Sequence, residues 1–457
     1  MPFNSPAYIL LLGLTYLGIK FSKKVINVLI LLSLIFLCFA GLKDTFIFLF
    51  IIILNWLLIK LVSDGKLRLR LSIPFNILLL VFFKYKNIFL GYENSYYPFL
   101  TDYLPLGISF YCFQSIAYQV DVYKGLTKGA RNFREFLLFK SFFPQLIAGP
   151  IVRANDLIPQ FRDYTKRKKR LILFGLFLCF LGLTKKIIFS DSIAPLIDQY
   201  FIMLPNTTTE AWLAALMYTF QVYFDFSGYS DIAIGSAYLL NIRLPVNFKT
   251  PYLSVNPSEF WRRWHISLSN WIRDYIYIPL GGSRGNLIRS SLVVILTMAL
   301  AGLWHGLNTN FFLWGILWGI YICFGRIPIL KNVNYLFRWP LHFLIIVFLW
   351  VLFRAPSINY SLSYWAIMMG FKGNNIYDFN SSLSNNLGNF SLSYLFIGNL
   401  LFFFVFHFLE YKFSGKFFLK IIKKFNNLFF TTILITLNIL LVLIPVTNTN
   451  PFIYFRF

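Results

Sequence analysis

Asn256-Pro257-Ser258-Glu259-Phe260-Trp261-Arg262-Arg263-Trp264-His265-Ile266-Ser267-Leu268-Ser269 opens a stretch that runs to Gly306 and decides how the rest of the chain reads. It continues through Trp271, Arg273-Asp274-Tyr275 and Pro279-Leu280-Gly281-Gly282, and an apolar run then closes at Gly302-Leu303-Trp304-His305-Gly306. The first half predicts a helix. Asn256 can cap it, Pro257 suits the first helical position, and Glu259 completes a capping box. Pro279 and the glycines behind it stop it about 22 residues later. At about 100° per residue, Phe260, Trp261, Trp264, Leu268, Trp271 and Tyr275 share one face. Arg262, Ser269, Asn270 and Arg273 take the opposite face, with His265 and Asp274 near the two boundaries. Arg262, Arg263, Arg273, Glu259 and Asp274 make such a helix too costly to leave in lipid. It is expected at the membrane interface or along a watery cavity inside protein. A purely structural helix that seats the chain in the headgroups is the alternative.

Working outward, the composition excludes a soluble globular protein: 457 residues are 58% hydrophobic and 20% aromatic, with mean hydropathy +0.65. Apolar runs of roughly 18 to 22 residues recur along the whole length, so the class is an all-α, polytopic integral membrane protein. The alternating ten-residue strands of a β-barrel are absent. Candidate spans fall at about 6–19, 25–42, 45–63, 72–90, 104–123, 170–189, 211–226, 288–305, 310–325, 340–353, 392–411 and 428–446. Segments 135–150 and 229–242 are short or polar-flanked and stay undecided between half-helices and re-entrant pieces, giving about 11 to 13 spans.

The net charge of +25 sits in short loops beside the spans, which is the positive-inside pattern rather than a nucleic-acid footprint. No nucleic-acid partner is expected. Lys20, Lys23 and Lys24 place the first loop in the cytoplasm; alternation then puts Lys124, Lys128, Arg131, Arg134, the Arg262–Arg289 region and Lys412–Lys424 inside. The Asn/Ser-rich stretch 355–391 falls outside. Lys84 and Lys86 are misfits within snorkelling reach of a span end. Cys38, Cys112, Cys179 and Cys323 lie in apolar surroundings without Cys-x-x-Cys spacing, so they read as core residues. Residues 6–19 read as a retained first span, not a cleaved leader. With no fixed-period repeat and no linker, 1–457 reads as a single membrane-embedded domain.

Four histidines can be weighed one by one. His305 ends an apolar run, framed by Gly302 and Gly306 at a spacing that lets another helix approach closely. Asn308, Thr309 and Asn310 give it polar company. An ionisable side chain at membrane depth marks a site, and a neutral imidazole there could take a proton from a hydroxyl attacking a thioester; a histidine merely bonded between helices is the alternative. His265, at the stripe's edge, could orient substrate or stabilise an oxyanion, alone or with Arg263, or simply sit among headgroups. Asp225 and Asp231 lie in apolar surroundings and need partners, for which the arginines of the 259–274 helix are the obvious choice. His342, just after Pro340, reads as interfacial, and His407 as a local pair with Glu410 at a cytoplasmic helix end. The chain has no Gly-x-Ser-x-Gly elbow, phosphate-loop motif or dinucleotide fingerprint. No spacing suggests a metal site, so no bound metal or cofactor is expected.

These residues resemble the membrane-bound O-acyltransferase family, and within it the bacterial branch that O-acetylates alginate or peptidoglycan. The likeness rests on Tyr223-Phe224-Asp225-Phe226-Ser227-Gly228-Tyr229-Ser230-Asp231, the 259–268 helix, Arg273-Asp274-Tyr275-Ile276-Tyr277-Ile278-Pro279-Leu280-Gly281-Gly282, and Gly302-Leu303-Trp304-His305-Gly306. It is densest over about 100–320, and the ending 452–457 looks like that branch as well. The resemblance implies a catalytic histidine at His305 and a functionally important polar residue at His265. Arg263, Trp264, Asp274, Asp225 and Asn310 complete the candidate site as substrate-binding or supporting residues. It also implies acetyl-CoA as a cytoplasmic thioester donor and an extracytoplasmic polysaccharide acceptor. A separate periplasmic acetyltransferase is the implied partner, and a bacterial inner membrane the setting. D-alanyl transfer to teichoic acid from a carrier-protein thioester, a polytopic transporter or flippase, and a non-catalytic assembly platform are the rivals.

Overall fold

The computed structural model describes residues 3–90, 104–146, 149–164, 169–327, 334–371, 391–412 and 428–444. Residues 372–390, 413–427 and 452–457, which carry most of the expected outer loop, a basic loop and the family-like ending, lie outside the described residues. Each of the twelve expected spans falls on a helix. Among the described residues, Leu42–Leu61, Leu171–Asp191, Leu287–His305 and Tyr335–Arg354 combine the length and hydropathy needed to cross a membrane. Pro6–Phe21, Val25–Cys38, Thr309–Phe324 and Phe429–Leu443 are apolar but shorter.

The two undecided segments resolve differently. Residues 211–226 and 229–239 belong to one 32-residue helix, Thr208–Leu239, because nothing between them breaks the ladder, and the last three residues of the second segment lie beyond its end. Segment 135–150 is instead split into Phe133–Ser141 and Phe143–Leu146. Pro144 lacks an N–H and its ring would meet the preceding turn of a continuous helix. At about 1.5 Å per residue, neither piece reaches the roughly 30 Å of a hydrocarbon core.

The chain packs as two compact units. One comprises Met1–Thr184, Gly228–Val246 and Leu419–Pro445. Its buried rings include Phe3 against Tyr8 at 4.6 Å and Phe36 against Phe143 at 5.6 Å. Small residues let two of its helices touch: a Cβ on Gly182 would lie 2.6 Å from the Gly228 carbonyl oxygen, and one on Gly235 2.7 Å from that of Gly175. Asn55 and Asn76 exchange amide hydrogen bonds of 3.3 and 2.9 Å, so neither polar group is stranded.

The second unit comprises Lys185–Ser227, Asn247–Phe418 and Val446–Phe457. It contains the hairpin of Leu287–His305 and Thr309–Phe324. Gly302 is the point of closest approach, since a Cβ there would sit 2.1 Å from the backbone oxygen of Phe311. Gly315 and Gly319 continue the seam against Met298 and Ile295. Gly302→Ala is therefore expected to cost about 1 to 3 kcal/mol, because a backbone must move. Thermal unfolding in detergent checks this; an unchanged midpoint would mean the helices separate freely.

Candidate functional site

The expected single helix over 256–279 is not continuous. Pro257–Arg263 is helical, with the Asn256 side chain accepting from the Glu259 N–H at 2.8 Å and the Glu259 carboxylate accepting from the Val255 N–H at 3.0 Å. Trp264 is then extended, and His265 adopts the left-handed conformation at φ 41° before helix Ile266–Ile272 and a π-turn, Arg273–Tyr277. The cause is tertiary. The Lys249 N–H bonds the Arg263 carbonyl at 2.9 Å, and the Ile266 N–H bonds the Asn247 carbonyl at 2.9 Å, so segment 247–249 takes bonds a continuous helix would keep. A non-glycine residue in this region costs about 1 to 3 kcal/mol, and such strain gathers at functional sites. The break also resets the phase of the aromatic stripe.

His265 is 1% exposed. Its Nδ1 lies 3.3 Å from Asn247 Oδ1, which also accepts from the Ser267 N–H and hydroxyl at 3.1 and 2.9 Å. An oxygen that accepts all three fixes the tautomer: Nδ1 carries the hydrogen and Nε2 the lone pair. That Nε2 is buried without a hydrogen-bond partner among the described residues. The Phe226 ring meets the imidazole edge-on at 4.5 Å and Phe248 stacks at 6.4 Å. Burial pushes the His265 pKa from 6.5 down to about 3. Between those values the unfolded chain binds a proton that the folded chain refuses. Acid should thus weaken the fold by up to about 1.4 kcal/mol per pH unit from this group, with stability regained as pH rises past about 6.5. His265→Gln is expected to flatten that slope. Unfolding midpoints between about pH 4 and pH 7 measure it, and parallel profiles for both proteins would assign the titration elsewhere.

The neighbours expected to assist His265 are placed differently from one another. Arg263 donates to Glu259 at 2.6 Å and to the Thr250 carbonyl at 3.4 Å. Asp274 accepts from Arg273 at 2.8 Å. Trp264 is 1% exposed and starts a run of rings: Trp350 at 5.0 Å, then Trp314 at 6.1 Å, then the His305 imidazole, which Trp314 meets edge-on at 5.5 Å. His305 is also buried, against Phe353 at 5.0 Å and Phe311 at 6.0 Å. Asn310 stands at the same corner. Its Nδ2 donates to the carbonyls of Leu352 and Ala355 at 3.4 and 2.7 Å, on either side of Phe353, while its buried Oδ1 has no partner among the described residues. The indole N–H groups of Trp261, Trp314, Trp318 and Trp350 are likewise buried without acceptors among the described residues, although such donors usually find one.

Asp225, 1% exposed, takes a lysine where arginines of the 259–274 segment were expected: Lys186 Nζ lies 2.6 Å from it and 2.7 Å from Asp191. Arg263 and Arg273 are held by Glu259 and Asp274 on their own segment. Lys185 pairs with Glu410, which also accepts from the Tyr223 hydroxyl at 2.6 Å. These lysines sit in a π-helical segment, Thr184–Asp191, a rare geometry that is frequent at functional sites.

The other two histidines are buried as well. His342 is 2% exposed. Tyr321 bonds its Nδ1 at 2.7 Å and Ser254 its Nε2 at 3.0 Å, so both nitrogens are engaged and the ring ties two helices to the turn at Pro251–Leu253. His407 pairs locally with Glu410 at 3.5 Å, as expected; it is 1% exposed, with the Tyr223 ring at 4.8 Å. Lysines side by side in an apolar run were the available signal for this cluster. Asn247, which sets His265, left none.

Comparison with known proteins adds a second line of observation. A sequence model of MBOAT, the membrane-bound O-acyltransferase family, matches residues 130–365. The chain is 37% identical over 409 residues to the "Probable alginate O-acetylase AlgI" of Azotobacter vinelandii, covering 85% of this chain and 82% of that one. It is 38% identical over 345 residues to the "Peptidoglycan O-acetyltransferase" of Helicobacter pylori, covering 67% and 66%. It is 31% identical over 242 residues to the "Teichoic acid D-alanyltransferase" of Bacillus subtilis, covering 50% and 60%. The family match takes in His265, His305 and Asp225 but ends before His407 and Glu410.

Proposed function

We propose, from the premise that this chain belongs to the membrane-bound O-acyltransferase family and is an O-acyltransferase, that it moves acetyl groups from cytoplasmic acetyl-CoA towards an extracytoplasmic polysaccharide. It does so in a bacterial inner membrane, and a separate periplasmic acetyltransferase is its partner. The acceptor class follows the names of the relatives, alginate or peptidoglycan. The observation that carries the reading is a pair of buried imidazoles, His265 and His305, linked by a run of rings from Phe248, which packs against both His265 and Trp264, through Trp350 and Trp314.

His305 is the general base. It accepts the proton of the attacking hydroxyl as that oxygen bonds to the thioester carbonyl carbon; the carbon–sulfur bond then breaks and the proton ends on the departing thiol. The indole N–H of Trp314, buried beside His305 without an acceptor, suits the negative charge that develops on the carbonyl oxygen. Asn310 holds the backbone around Phe353 and offers its free Oδ1 to a substrate donor. His265, with an open Nε2, receives a donor group at the other end of the run, while Trp264 starts that run and Arg263 and Asp274 shape the segment around it. Ester formation from a thioester runs downhill, so positioning and proton transfer are most of what the protein supplies.

Radiolabelled acetyl-CoA given to inverted membrane vesicles tests the reading. Label should enter polysaccharide as alkali-labile esters. Label that enters only from a D-alanyl carrier-protein thioester would overturn it in favour of the teichoic acid branch, the activity named for the Bacillus relative.

A further inference from the structure

Away from the histidines, the first unit holds a cavity of about 320 Å³ between the loop at Gly125–Gly129 and the helix Ala154–Arg162. Lys128 and Arg162 are the charged residues in its wall, and no carboxylate lines it. Leu126, Ile158 and Pro159 give it an apolar side. Lys124 and Arg131 stand on the same basic loop, and Arg134 opens the helix that follows it.

The site is built rather than draped. Gly125 and Gly129 both take left-handed backbone, at φ 71° and 66°. A Cβ on Gly129 would strike the Tyr118 hydroxyl at 2.6 Å, whereas Gly125 faces open space. The Tyr118 oxygen accepts from the Ala130 N–H at 2.8 Å, and Thr127 Oγ1 accepts from the Gly129 N–H at 3.2 Å. Arg162 is clamped across the loop: it donates to the Gly129 carbonyl at 2.8 Å and through two nitrogens to Glu135 at 3.0 and 2.6 Å. Glu135 also accepts from the Arg131 N–H at 2.8 Å, so its charge is spent inside the loop. The Arg162 pair holds its carboxyl below the usual carboxylate range. Lys128 is left exposed at the cavity, with the side chains of Thr127 and Asn155.

We propose that this cavity binds a phosphate ester, with Lys128 on the phosphate and Leu126, Ile158 and Pro159 on the apolar body that carries it. The cavity is at the small end of the range for ligand sites. Basic pockets on the cytoplasmic side of membrane proteins take phospholipid headgroups by the same chemistry. The positive-inside reading puts this loop on that side. The same chemistry is offered by an anionic lipid or by the phosphates of a soluble nucleotide.

The purified full chain in neutral detergent is presented with radiolabelled phosphatidylglycerol, with phosphatidylcholine as reference and 3′,5′-ADP as competitor. Wild type should retain phosphatidylglycerol at least about fivefold more tightly than phosphatidylcholine. Lys128→Glu and Leu126→Glu, both at exposed positions, should each remove that preference, whereas Lys24→Glu, on another loop, should not. Equal loss in Lys24→Glu, or full retention in both cavity variants, would overturn the site. Displacement of the lipid from wild type by submillimolar 3′,5′-ADP, with direct 3′,5′-ADP binding lost in Lys128→Glu, overturns the lipid as the source and assigns the cavity to nucleotide phosphates.

Discussion

His305→Ala, in cells lacking the native copy and at wild-type membrane level, should lower polysaccharide acetyl esters by a factor of about 10² to 10⁴, the range of a general base. Truncation also leaves a hole among Phe311, Trp314 and Phe353. Some loss of stability is therefore expected with it, and a second variant is needed. His305→Gln fills most of the hole and can hydrogen-bond, but it cannot shuttle a proton at neutral pH. It should be monodisperse in detergent and as inactive as the alanine variant. Full acetylation by either protein would refute the assignment of the base and favour the transporter or platform readings. A glutamine variant that is active while the alanine variant is not would make His305 a hydrogen-bonding strut between helices. His265→Ala separates the two ends of the tryptophan run. Its Nε2 is open, so a loss there with His305 intact would argue that the substrate meets both imidazoles.

The helices of this protein were legible because hydropathy alone fixes a span: each expected run falls on a helix. The close hairpin at Gly302 was legible too, since a small residue every fourth position permits contact. What could not be read is whatever rests on distant hydrogen bonds. The stripe from Phe260 to Tyr275 has a helical period across a point where the backbone is not helical. The break at His265 depends on Asn247, 18 residues upstream, and no local pattern announces that partner. The charged cluster is intermediate. Two adjacent lysines inside an apolar run were an available signal for buried acids, yet the partners of Asp225 were expected among the arginines of the 259–274 helix, and Lys186 takes that place. Glu410, 225 residues from Lys185, was not foreseeable, and it lies outside the family match. The burial of His407 was not legible for the same reason. Its neighbours in sequence suggest a helix end, while its neighbours in space, Tyr223 and Tyr252, bury it.

Lys186→Met is expected to be the most damaging single change outside the histidines. One ammonium, 1% exposed, serves two carboxylates, Asp225 at 2.6 Å and Asp191 at 2.7 Å, themselves almost fully buried. Removing one partner of a buried pair typically costs about 3 to 5 kcal/mol, because the remaining charge keeps its desolvation penalty. Here two like charges would be left facing each other without their shared counter-ion. The fold should be lost outright or recovered as aggregated protein, read from the monodisperse fraction after detergent extraction. Neutralising all three positions, as Lys186→Met, Asp191→Asn and Asp225→Asn together, should restore much of the folded fraction, since apolar and neutral groups of similar volume need no counter-ion. The same triple variant decides what Asp225 does. If Asp225 only anchors the helix Thr208–Leu239 to the π-helical segment, acetyl transfer returns with the fold. If the triple variant is well folded yet inactive, the carboxylate belongs to the chemistry, and the ion cluster becomes part of the active site. A Lys186→Met protein that extracts as cleanly as wild type would mean that the three groups do not share one buried site, and the pairing itself would have to be abandoned.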